Sequence, residues 1–153
     1  MKASGTFELV RKPVSEDKVG TLSFSRLSLD KTFSGDLVAT STVEMLAVGS
    51  EVTRSAAYVA MERVVGNLGG KNGSFVLIHN GSMDTKSQRL TVTVVSGCST
   101  GELFNLEGKM TIDIKEGKHF YDFQYELNGE RQPLRHLDAQ RPGQTSKSIS
   151  SLK

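Results

Sequence analysis

Tryptophan is missing from the 153 residues, cysteine occurs once and proline three times. A lone cysteine permits no disulfide within the chain and no cysteine-built metal cluster, which fits a reducing compartment. A dominant charge is lacking too. Nineteen Lys and Arg against 17 Asp and Glu leave +2, far from the basicity of surfaces that track phosphates. Seven phenylalanines and three tyrosines without tryptophan offer no stacking platform for single-stranded bases. Nucleic acid is therefore not an expected partner. No apolar run reaches the ~20 residues of a membrane-spanning helix, and MKASGTFELV lacks the charged-then-apolar order of an export signal. The expected location is cytoplasmic, with no membrane partner.

Glycine, by contrast, is plentiful at 15 residues. Together with many Val and Thr and a turn signal every dozen residues, it points to strands. Eight are expected, over residues 3–10, 20–30, 36–48, 54–66, 74–83, 88–96, 102–115 and 118–127. Their connectors, SED, FSGD, VGSEV, GGKNG, SGCSTG and KEGK among them, are short, which implies antiparallel neighbours. No connector has the length of a Greek-key crossover. The expected fold is all-β, an antiparallel eight-stranded barrel with up-and-down hairpins over residues 1–127. Residues 128–153 read as a polar, flexible tail, with two of the three prolines and five cations against two acids.

Motif matches are weak. GCSTG at 97–101 has the spacing of a nucleophile elbow, but that device needs a helix after the serine, and ELFNLEGKMTIDI alternates like a strand. Ser99 and Cys98 are read as loop residues. GNLGGKNGS at 66–74 fails as a phosphate loop because Asn72 stands where Ser or Thr belongs. Asn72-Gly73, Asn80-Gly81 and Asn128-Gly129 are read as turns or bulges. His79, His119 and His136 have no metal-ligand spacing, so neither a metal nor a cofactor is expected.

Hairpin register singles out a site. Pairing Ala47 with Ser55 sets Glu44 opposite Tyr58; pairing Val65 with Ser74 sets Ala60 opposite His79, Glu62 opposite Leu77 and Val64 opposite Phe75. Glu44, Tyr58, Glu62 and His79 then share a face, with Val43, Met45, Val59, Met61 and Arg63 on the other. A slip of one residue would scatter them. If this face lines the lumen, Glu44, Tyr58, Glu62, Phe75, Leu77 and His79 are the ligand-binding candidates, with Ala56 and Ala60 leaving room. Glu62 and His79 are diagonal neighbours whose side chains can meet, a pair able to move protons. AAYVAM and FVLI are apolar on both faces, so the outside of the middle strands is expected to be covered by another subunit of a homo-oligomer.

GTFELV, LDKTFSGDLVATSTVEML, AAYVAMERVVGNLGGKNGSFVLIHNGSM, LTVTVVSGCSTGELFNLEGKMTI and HFYDFQYEL, in this order, resemble a family of small, mostly bacterial proteins of unknown function. Those proteins are similar in fold to allene oxide cyclase, an eight-stranded barrel. The resemblance implies the barrel and an oligomeric tendency, brings no established activity, and implies glycine where this chain has Arg54 and Ala57. Three functions fit. The first is a barrel binding a small, partly apolar, lipophilic ligand in its lumen. The alternatives are an isomerase, cyclase or hydrolase-like enzyme using Glu62 and His79, and a protein-interaction module.

Overall fold

A computed structural model describes residues 1–128; the segment expected to form a tail lies, from Gly129 onward, outside the described residues. Strands β1 (Lys2–Val19), β2 (Leu22–Gly35), β3 (Leu37–Ser50), β4 (Ala56–Leu68), β5 (Lys71–Met83), β6 (Gln88–Val94), β7 (Thr100–Gly101), β8 (Leu106–Lys115) and β9 (Lys118–Leu127) follow in chain order. All pairings are antiparallel. The sheet runs β4-β3-β2-β1-β9-β8-β6-β5 and closes through β4–β5. It is an eight-stranded barrel, with two-residue β7 as an extra strand beside β5. Among the described residues there is no helix.

Alternation fills the interior. Phe7, Phe33, Val43, Val64, Leu77, Val92, Met110 and Phe123 are buried while their chain neighbours face outward, the period-two pattern that a closed sheet requires. One end of the lumen is packed solid. Phe75, Phe123 and Tyr125 stack there with centroids 5.6 and 5.3 Å apart. Tyr121 fastens the same end to β2 and β3: its hydroxyl donates to the Ser34 carbonyl at 2.9 Å and accepts from Leu37 N–H at 3.0 Å. Residues 95–105 leave the wall between β6 and β8, which share only two residue pairs, and insert fully buried Leu103 under this end.

Several boundaries differ from the sequence expectation. SED is not a turn. β1 and β2 run on through it as a long exposed hairpin that reverses at Gly20, φ +62°, because alternating polar residues are tolerated where both faces are wet. Asn72-Gly73 and Asn80-Gly81 are not turns either; both lie within β5. The turn before β5 is Gly69-Gly70, with φ of +57° and +90°, which suits a tight hairpin. Gly73 and Gly81 serve close approach instead. A Cβ on Gly73 would strike the Thr100 carbonyl, and one on Gly81 would overlap the Tyr58 ring. Strand β8 begins at Leu106 rather than 102; residues 102–105 form successive turns, so Leu103 and not Phe104 supplies the buried apolar group.

The β3–β4 register is also corrected. Gly49 pairs with Ala56, Ala47 with Tyr58 and Glu44 with Met61, an offset of three residues from the expectation. An odd offset exchanges the faces of β3. Val43 and Met45 therefore point inward and Glu44 outward, an outcome that burying Val43 favours. The connector is closed by Ser50 N–H to the Ser55 carbonyl at 2.8 Å, and Arg54 there takes φ +55°. That is the conformation for which the family resemblance implies glycine.

Candidate functional site

Midway along the lumen four polar side chains meet, one from each of β2, β3, β4 and β5: Lys31, Ser41, Glu62 and His79. All are buried, and Glu62 has 0% exposure. The Glu62 carboxylate is saturated. Ser41 Oγ donates to Oε1 at 2.7 Å, His79 Nε2 lies 2.7 Å from Oε2, and Lys31 Nζ stands 3.2 Å from each oxygen. Lys31 also sits over the Phe7 ring, 4.6 Å from its centroid, a contact that adds to cation stabilisation away from water.

Burial pushes the Glu62 carboxyl up, but His79, Lys31 and Ser41 together outweigh it and hold the group below the ordinary carboxylate value. An ionised Glu62 can only accept, so His79 must carry a proton on Nε2. Its Nδ1 then has no hydrogen-bond partner among the described residues.

Above this layer the lumen is open. A cavity of about 480 Å³ extends to the barrel mouth, walled by Leu9, Leu27, Leu29, Val43, Met45 and Ile112 among others, with Lys31, Tyr58 and His79 at its deeper end. Tyr58 packs across Gly81, its ring centroid 6.4 Å from that of His79. Burial and the nearby Glu62 charge push its hydroxyl up, so it stays a neutral donor.

The six binding candidates separate in space. Tyr58 and His79 line the cavity. Glu62 lies behind His79 and holds it rather than lining the space. Phe75 and Leu77 belong to the solid core at the closed end. Glu44 lies on the outer wall, where Ser28 Oγ donates to it at 3.4 Å. Lys31 escaped the sequence reading, although Leu29, Lys31 and Phe33 alternate in one phase and place a charge in a buried series. Among the described residues no group of three His, Cys, Asp or Glu is placed to hold a metal. His119 stacks on Phe7 at 5.0 Å, and His136 lies outside the described residues. Ser99 is followed by β7 and turns rather than a helix, so the elbow geometry is absent; Cys98 is exposed.

Residues 3–125 match the family model described as protein of unknown function, DUF3224. The chain belongs to this family. A crystal structure of a DUF3224 protein of unknown function from Shewanella oneidensis MR-1 is similar at 43% identity and TM-score 0.79, covering 84% of this chain and 98% of that one. No curated protein matches.

For this DUF3224 barrel the polar layer makes a direct prediction. Glu62→Gln strands the buried Lys31 charge and should cost about 3–5 kcal/mol, whereas Lys31→Met with Glu62→Gln should recover most of it. The native carboxyl is depressed, so its contribution is fully present above the ordinary value of 4.5 and is lost as pH falls through the lower native value. Urea unfolding from pH 6 to pH 3 should show a loss of stability that shrinks in Glu62→Gln; an equal loss in both proteins would contradict the assignment.

Proposed function

We propose that this DUF3224 protein binds a small, partly apolar molecule in the open half of its barrel. The observation that carries the reading is the cavity itself, large enough for a small organic molecule, with apolar walls and polar groups gathered at its deeper end. Tyr58 OH and His79 Nδ1 orient the ligand, and Glu62 orients His79. The proton-transfer alternative rests on the same pair, with His79 as the group that meets substrate and Glu62 as the positioning residue behind it. A neutral naphthylamine dye tests the reading. It should bind with one-to-one stoichiometry and brighten, and Ala56→Trp, which fills the lumen, should abolish binding while outward Thr91→Trp should not. Equal binding by both variants would place the dye elsewhere.

We also propose that the outer wall of β3–β5 meets a second copy of the chain. Leu46, Val59, Met61 and Ile78 are exposed there around a groove of about 310 Å³, a contiguous apolar patch of the kind that marks interfaces. Arg26 and Glu44 border the same groove. A two-fold axis passing between them would set each against the opposite charge on the other copy. Light scattering should give at least twice the chain mass of 16.6 kDa, and Met61→Glu should give the single-chain mass. A wild-type protein at the single-chain mass would overturn this reading.

A further inference from the structure

The charges around the cavity are of one sign. Arg11, Lys31 and Arg89 line it and no Asp or Glu does. Lys31 is met by Glu62 beneath it, so the deep layer offers a ligand hydrogen bonds but little net charge. Arg11 and Arg89 differ. Neither guanidinium has a carboxylate within ion-pair distance among the described residues.

Their place in the barrel is specific. The strand order β1-β9-β8-β6 sets Arg11 on β1 and Arg89 on β6 at either side of the short β8–β9 hairpin; Arg89 has the outward phase of Thr91 and borders the mouth from its outer edge. Phe7 pairs with His119 beside the turn of that hairpin, so β1 rises beyond the turn and brings Arg11, in the same phase as Phe7 and Leu9, to the rim. Below the rim the wall turns apolar, through Leu9, Leu29, Leu90 and Ile112. From Met83 at the mouth to His79 is four residues of one strand, or ~14 Å at the antiparallel rise.

We propose, building on the lumen-binding reading, that the ligand is an amphipathic anion. Its carboxylate-class head is held at the rim by Arg11 and Arg89, and its aliphatic tail of medium length runs down the apolar wall to a polar group at its far end that meets Tyr58 and His79. Guanidinium groups suit this head because they present paired N–H donors to a carboxylate. The apolar wall offers a sugar or other polyol few partners, so such a ligand would lose hydrogen bonds to water without replacement. A cationic amphiphile would meet two like charges and no acid.

Displacement of the neutral naphthylamine dye from the full chain by decanoate, decanol and decylamine, three heads on one tail, tests the proposal. Decanoate should displace the dye at a concentration at least tenfold below the other two, and added salt should narrow the gap because the rim is exposed to solvent. Arg11→Gln with Arg89→Gln should raise the decanoate requirement to that of decanol and leave decanol unchanged. Equal potency of decanoate and decanol on the native chain, or indifference of decanoate to the double variant, overturns the anion assignment while the lumen remains occupied. If neither the dye nor any of the three compounds binds, the lumen reading itself falls with it.

Discussion

A carboxylate without solvent exposure remains charged only if the protein replaces its water, and Glu62 is the constraint around which this barrel is arranged. Three donors from three other strands converge on its two oxygens. Each fixes the register of its strand, because a one-residue slip would carry the donor to the outer wall and leave a buried charge unpaired. The polar layer thus ties β2, β3, β4 and β5 together across the lumen.

That layer also divides the barrel. Toward the closed end the aromatic stack, Tyr121 and the inserted Leu103 leave no room. Toward the mouth the inward residues on β3 and β4 include Ala47 and Ala56, which leave space beside Met45 and Tyr58, and the lumen opens. Space, apolar walls and a fixed histidine are therefore products of one packing decision. Glu62 takes no part in lining the space, yet it settles which nitrogen of His79 carries the proton and so what the ring can offer a guest.

The barrel was legible in the sequence because alternation and short connectors are local signals. The β4–β5 register was legible as well, since its hairpin turns on two adjacent glycines, and the expected opposition of Ala60 to His79 and Glu62 to Leu77 is the one observed. The β3–β4 hairpin carries no such marker. Its connector holds Arg54 in a left-handed conformation that the residue type does not announce, so loop length was misjudged and Glu44 was set on the wrong face. Asn-Gly pairs misled in the opposite way: the glycines of β5 make room for the Thr100 carbonyl and the Tyr58 ring, contacts from distant chain segments that local sequence cannot reveal. Lys31 carried a usable signal, a charge in phase with Leu29 and Phe33.

The central claim is that Glu62 is ionised inside the barrel and holds His79 through Nε2. Imidazole nitrogen NMR on the full chain at neutral pH addresses it most directly. The account predicts a protonated Nε2 on His79 whose hydrogen is protected from exchange with water and is released in Glu62→Ala. A bare Nε2, or a hydrogen there that exchanges as freely as one on an exposed ring, would contradict it.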